Sequence, residues 1–524
     1  MSTGDMAGAP TGAGPALGGT APTGTGGSGL ADFDPRLKRL AVVVVLGTIM
    51  SILDTTIVNV AIATLARDFR SPLSTVQWVS TGYLLALATV IPLTGWAVER
   101  FGAKRMWIVS LALFLAGSAL CGAAWSVQSL IAFRVLQGIG GGMIMPIGQS
   151  ILATEAGPQR MGRVMSLLGV PMLLGPVLGG LIVDTVSWRW IFYVNIPIGI
   201  VAIVLAVRML PGHEPTDRST RLDVRGLLLL SPGLVLLVYG LAQAGQGSAV
   251  SVFLPIVVGG ALTAGFVVHA LRSKITPLIE VVLFRNRSFA AAAATTFGFG
   301  ASLFGGMLLL PLYYQVVRGE SALSAGLLMA PQGIGAALVM PLAGKLTDRY
   351  GAGRIVPGGL LVAILGTVAY TQLGAHTGYA LLATSLFVRG IGFGFVMMPA
   401  MAAAYQTLSR DRVPRATTAI NIVQRVGGSL GTALAAVVLE HQISVQVHGA
   451  RAGLSGVSGA TPIERARIAQ PLSVAFGNTF WWVLGMTALA LVPALLLPRR
   501  PAGVPASPGP EDAVLVERAP GSGV

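Results

Sequence analysis

Asp54 is the one acid that the sequence places deep inside an apolar run, residues 40–63, and the chemistry open to it there is proton exchange. A carboxylate at membrane depth costs at least about 2.5 kcal/mol, so it must face a partner or a water-filled cavity. Burial favours the neutral form of such a group and a neighbouring cation favours the charged form. An acid balanced between the two can take up and release a proton as its surroundings change. Arg134 is the expected partner, being the only cation of the first half that falls deep within an apolar run and one that stays charged. The same pair also has a plain structural reading, a static ion pair between two helices.

Further polar residues sit at spacings that put them on one helix face. Thr55 and Asn59 are four apart, as are Asn421 and Arg425, so each pair can offer hydrogen bonds side by side to a solute or to a neighbouring helix. Arg389 lies within another apolar run, and Gln137 and Gln332 are weaker candidates for a cavity wall. Gly138 with Gly142, Gly175 with Gly179, Gly390 with Gly394, and Gly427 with Gly431 keep the spacing that lets membrane helices approach closely. Other chemistries find little support. His213, His269, His376, His441 and His448 form no ligand spacing, no phosphate loop of the Walker type is present, and Cys121 is the only cysteine. No metal, cofactor, ATP-driven step or enzymatic activity is expected, and a receptor or scaffold would not need the arrangement described below.

The elements that must position these residues are membrane helices. Of the 524 residues 53% are hydrophobic and 10% charged, against roughly 25% charged in soluble domains. Apolar runs of about 20 residues, the length that crosses a bilayer, fall at 40–63, 76–98, 107–125, 128–153, 164–185, 190–210, 224–243, 251–271, 288–316, 323–343, 355–373, 379–405, 416–439 and 477–497, fourteen in all. Sorting the 35 basic residues by connection places 25 on one side, seven on the other and three inside helices. That bias predicts a plasma-membrane protein with both termini cytoplasmic, and it accounts for the net charge of +15 without nucleic acid. Residues 1–35 read as a disordered tail, and the 440–476 connection is long for a loop, so that it either docks a partner or is flexible.

The chain also repeats. Gly95, Glu99, Arg100, Phe101, Gly102 and Arg105 recur 249 residues later as Gly344, Asp348, Arg349, Tyr350, Gly351 and Arg354. Gly138-Ile139-Gly140 has an echo in Gly390-Ile391-Gly392. The expected organisation is all-α: a six-helix bundle over 36–210, two inserted helices over 211–287, a second six-helix bundle over 288–497 and a tail over 498–524. Paired halves are how many transporters build a central site and rock around it. The acid and basic residues of the two repeated segments sit beside helix ends, where charge pairs and helix dipoles can latch one conformation or simply anchor the loops.

Several of these motifs, in this order, resemble those of the fourteen-helix drug:proton antiporters of the major facilitator superfamily. Leu53-Asp54-Thr55-Thr56-Ile57-Val58-Asn59-Val60-Ala61 is similar to that family's first-helix signature. Gly95 to Arg105 resembles its cytoplasmic loop motif, with Glu99 where Asp is usual. Arg134-Val135-Leu136-Gln137-Gly138 follows, then Gly175-Pro176-Val177-Leu178-Gly179-Gly180, which looks like the antiporter motif, then Trp188-Arg189-Trp190-Ile191-Phe192 and Asn195-Ile196-Pro197. The resemblance spans roughly residues 36–500. It implies the major facilitator fold, a central cavity bordered by the helices of Asp54 and Arg134, and alternating access in which Gly175, Pro176, Gly179 and Gly180 help helices slide and seal. The function it implies is proton-coupled multidrug efflux of apolar or cationic drug-like solutes, a determinant of antibiotic resistance. Export of one metabolite or self-made antibiotic is the alternative. The expected partners are a small-molecule substrate, the proton and the lipid bilayer, with the chain acting as a monomer.

Overall fold

The computed structural model describes residues 35–156, 187–212, 221–243, 248–273, 275–406, 408–447 and 462–499; within these, some side chains, those of Thr55 and Asn59 among them, are outside the description. Every described regular element is helical. The first half contains α1 (Pro35–Asp68), α2 (Leu73–Val90), α3 (Thr94–Phe101), α4 (Ala103–Gly122), α5 (Val127–Ala156), a short α6 (Trp190–Tyr193) and α7 (Asn195–Met209). Then come α8 (Val224–Ala242) and α9 (Ala249–Arg272). The second half contains α10 (Arg287–Leu312), α11 (Ala322–Tyr350), α12 (Ala352–Val368), α13 (Tyr379–Gly394), α14 (Met397–Tyr405), α15 (Val413–Gln446) and α16 (Pro462–Ala494).

Among the described residues twelve helices are long and apolar enough to cross a membrane, some of them joining two of these elements. Thr75–Phe101, for instance, runs through α2 and α3 and the tight turn at Ile91–Leu93 between them, where Pro92 can donate no backbone bond. The twelve do not include α1, although its 34 residues contain the expected first span. The expected fifth span, 164–185, lies outside the described residues, and with it Gly175, Pro176, Gly179 and Gly180. Polar caps start several helices: Asp223 accepts from the Gly226 amide at the head of α8, and Asn286 accepts from Ser288 and Phe289 at the head of α10, each satisfying a backbone donor the helix leaves open.

Two expectations change. The connection at 440–476 is far shorter than apolarity suggests, because α15 continues to Gln446 and α16 begins at Pro462; both helices extend through polar residues that hydropathy alone assigns to a loop. The repeated charged segments are likewise helix ends rather than loops. A single residue, Gly102, turns the chain from α3 into α4 with φ 85° and ψ 146°, and Gly351 turns α11 into α12 with φ 83° and ψ 149°. Residues with a Cβ rarely adopt that conformation, so the 249-residue repeat preserves a backbone device as well as charges.

The core is organised unevenly. At the end that carries Glu99 and Gly102, one buried cluster joins both halves, taking in Leu40, Trp107 and Ile144 with Phe393, Met398 and Ile420. At the opposite end the clusters separate. Val58, Leu130 and Ile191 pack within the first half, and Tyr313, Leu386, Leu439 and Phe476 within the second. The described residues of the two halves thus share an apolar core at one end only. α8 and α9 pack on each other, tied to the first half by the Ser231 hydroxyl donating to the Thr89 carbonyl at 2.8 Å and to the second through Leu241 against Ala433.

Candidate functional site

Asp54 in α1 and Arg134 in α5 meet inside the first half. Arg134 Nη1 lies 2.5 Å from Asp54 Oδ2, and Gln137, one helical turn along α5, donates from Nε2 to Asp54 Oδ1 at 2.8 Å. Both carboxyl oxygens are therefore satisfied. Arg134 also donates to Gln137 Oε1 at 2.8 Å and to the Val79 carbonyl at 3.2 Å, and its guanidinium lies over the Tyr83 ring at 3.9 Å. Ser118 extends the network: it receives Gln137 Nε2 at 3.3 Å and Asn195 Nδ2 at 3.1 Å and donates to the Phe192 carbonyl at 2.9 Å. Asp54 is 0% and Arg134 1% exposed.

The carboxyl thus faces inward, away from lipid, and is closed to solvent in this conformation. Such a pair is costly to break one side at a time, because the abandoned charge stays buried; the penalty is of the order of 3–5 kcal/mol. Small residues make the approach possible. A Cβ at Gly117 would lie 2.6 Å from the Gln137 backbone, and one at Gly138 would lie 2.8 Å from the Tyr83 carbonyl oxygen. The Gly390 and Gly394 pair presses on α11, and the Gly427 and Gly431 pair on α10, in the same manner.

The second half holds a cation without an acid. Arg389 in α13 is 1% exposed. It donates to Gln332 Oε1 at 3.0 Å and to the Ser302 carbonyl at 3.3 Å and lies over the Phe393 ring at 4.7 Å, while its Nε has no hydrogen-bond partner. Among the described residues no carboxylate pairs with it. Gln332, a candidate for the cavity wall, accepts the 3.0 Å bond from Arg389.

Along α15 a row of polar side chains at helical spacing faces the first half. Arg415 grips Glu99 with two bonds, Nε to Oε1 at 2.7 Å and Nη2 to Oε2 at 2.5 Å, and also donates to the Pro277 carbonyl at 3.0 Å. Thr418 borders Gly95, and Asn421 donates to Gln149 Oε1 at 2.7 Å. Arg425 completes the row. It is half-buried, makes no hydrogen bond or ion pair among the described residues, and lies near Tyr83 of the first half.

The two repeated segments therefore differ. Glu99 clasps the other half, whereas Gly351 packs against the chain's own Pro498 and Arg499, with Gly353 donating to the Pro498 carbonyl at 2.9 Å. Arg105 and Arg349 are exposed, Arg100 and Asp348 are partly so, and Gly95 and Gly344 are buried. Ser118, Asn195, Tyr83, Gln149 and Arg415 escape the sequence reading as site residues. Asn195 stands in the quoted Asn195-Ile196-Pro197 motif and Arg415 stands on the Asn421–Arg425 face, so these two carried a signal; Tyr83 and Ser118 carried none beyond lying in apolar runs.

Known proteins resemble this chain in sequence and in fold. The model of the Major Facilitator Superfamily matches residues 44–432. The chain is 41% identical over 510 residues to the Multidrug resistance protein B homolog of Mycobacterium tuberculosis, covering 92% of this chain and 94% of that protein. It is 31% identical over 409 residues to the Multidrug export protein EmrB of Escherichia coli, covering 76% and 79%. Among solved structures the proton:xylose symporter XylE superposes with a TM-score of 0.57 at 14% identity, covering 87% of this chain and 94% of that one, a likeness of fold.

Proposed function

This chain belongs to the major facilitator superfamily, a family of multi-pass membrane transporters, and from that premise we propose that it exports drug-like small molecules across the plasma membrane in exchange for protons. The observation that carries the reading is the Asp54–Arg134–Gln137 cluster, a titratable group held at the middle of one half of a molecule whose halves share a core at one end only. The relatives named for multidrug resistance and export support the cargo class.

In this reading fourteen helices span the membrane, α1 and the 164–185 segment joining the twelve, with both termini cytoplasmic and the bundles bounded as the repeat suggests. The Glu99–Arg415 clasp then lies at the cytoplasmic end, and the conformation is shut there and parted toward the outside. A proton reaching Asp54 neutralises the carboxylate and releases Arg134 from its strongest partner. The α1–α5 contact loosens, the clasp opens and the other face seals. Return of the proton to the cytoplasm re-forms the pair. Thr55 and Asn59, one turn apart on α1, and Gln137, Asn421 and Arg425 are the residues assigned to the cargo path, and Gly175, Pro176, Gly179 and Gly180 to the sliding seal. The chain works as a monomer, since one half supplies the whole titratable cluster.

The test is transport of a panel of drugs into inverted vesicles under an imposed pH gradient, comparing the native chain with Asp54→Asn. Gradient-driven uptake is expected to disappear with the protein still inserted. Unchanged coupling in Asp54→Asn overturns the assignment.

A further inference from the structure

We infer that the cleft between the halves receives an anionic group on Arg425, so that among drug-like solutes the favoured cargo is an amphiphile bearing a carboxylate, sulfonate or similar negative charge. This rests on the export reading above and names the substrate class of that same site.

The argument begins with a count of charges at mid-span. Among the described residues the groups there are Asp54, Arg134, Arg389 and Arg425, one acid against three bases. Arg134 is neutralised by Asp54. Arg389 is enclosed by neutral oxygens and a ring, and its one bare nitrogen is buried. Arg425 differs from both. It is only half-buried, it donates to no described residue, and its guanidinium carries five donors that are left without a protein acceptor among the described residues. A cation kept at membrane depth without a counter-ion is expensive, and such residues mark solute pathways.

Its place in the fold is the second part. The lower rungs of the α15 row are each spent on the first half: Arg415 on Glu99, Thr418 beside Gly95, Asn421 on Gln149. The core shared by both halves takes in Ala416, Ala419, Ile420 and Ile422 of α15, with Val423 and Val426 packed against it, and the separate core of the second half begins at Ala435. Arg425 stands at the upper margin of the shared core, next to where the halves part. It is the floor of the cleft, and the surrounding excess of positive charge acts in low dielectric, where screening is weak. A cationic solute entering there meets repulsion from Arg425 and Arg389, while an anionic one supplies the missing counter-charge and can take a bidentate bond.

Proton and cargo then need not compete for one carboxylate. The proton is at Asp54 and the anion at Arg425, with Tyr83, whose ring lies against Arg134, near both.

The experiment uses the full chain in nanodiscs and proteoliposomes with three probes that share an aromatic body: naphthalene-2-sulfonate, naphthyl-trimethylammonium and neutral 2-methoxynaphthalene. By equilibrium dialysis the sulfonate is expected to bind the native chain about tenfold or more tightly than the ammonium ion, and Arg425→Gln to erase that preference, while Arg425→Lys keeps most of it. Equal binding of the two ions to the native chain, preference for the ammonium ion, or a sulfonate preference that survives Arg425→Gln each overturns the inference. Proton-driven movement of the neutral probe by the native chain reports on the export reading separately, and thermal unfolding of Arg425→Gln beside Arg425→Lys and the native chain shows that both variants are folded.

Discussion

The two halves carry a repeated sequence pattern, yet they use their buried arginines in opposite ways. In the first, Arg134 meets Asp54 and Gln137, and every oxygen of the acid is bonded. In the second, Arg389 reaches only Gln332 and the Ser302 carbonyl. A duplicated bundle thus supplies the same scaffold twice and lets titration concentrate in one copy. The ends differ in parallel: the Glu99 segment clasps the other half, while the Gly351 segment is held by the chain's own Pro498 and Arg499.

That contrast can be broken at its strongest point by removing each arginine. Arg134→Met strands the Asp54 carboxylate and is expected to lower stability by roughly 3–5 kcal/mol, whereas Arg389→Met leaves only neutral oxygens without a donor and should cost about 1–3 kcal/mol. Thermal unfolding of the purified variants in one detergent compares them. Similar losses would mean that both arginines serve as packing alone. Restoring neutrality with Asp54→Asn in the Arg134→Met background should recover most of the lost stability and none of the coupling.

A smaller effect sharpens the contrast at the helix ends. Glu99→Gln removes a bidentate charged clasp, an interaction of about 1.5–3 kcal/mol, enough to shift an equilibrium between conformations tenfold or more. Spin labels on the two halves at that end should report a longer mean distance. Gly351→Ala, in the segment that packs on Pro498 and Arg499, should leave the distance distribution as it was, and an equal shift from both would erase the distinction.

The smallest expected effects come from the turns. Gly102→Ala and Gly351→Ala each force a side chain into positive φ, at roughly 1–3 kcal/mol. Gly351→Ala should be the worse, because its Cβ would also lie 2.8 Å from the Arg499 carbonyl carbon. Unfolding midpoints of the two variants give the order.

Much of this was legible before any coordinates. A lone acid and a lone first-half arginine in separate apolar runs must find each other, since lipid offers neither a partner, and the 249-residue echo pairs the turns at Gly102 and Gly351. What remained hidden is relational. Glu99 and Arg415 are 316 residues apart, and nothing local says that a basic residue counted as a membrane anchor crosses to the other half. Gln137 and Gln332 look alike in sequence, yet one bridges a carboxylate and an arginine and the other meets an arginine alone, because that depends on what α1 and α13 bring beside them. Helix ends were misplaced where polar helices run past the bilayer, as in α15 and α16, since hydropathy reports the solvent and not the backbone. The fifth apolar run and its glycines lie outside the described residues, so their role stays a proposal.

Proton exchange at Asp54 is tested most directly by running the cycle backwards. Proteoliposomes loaded with a transported drug, with no imposed pH gradient, are diluted into drug-free buffer while a trapped dye reads internal pH. Drug exit through the native chain is expected to draw protons inward and acidify the lumen. Asp54→Asn should let drug leave, if at all, without acidification; an equal pH change in that variant would contradict the account.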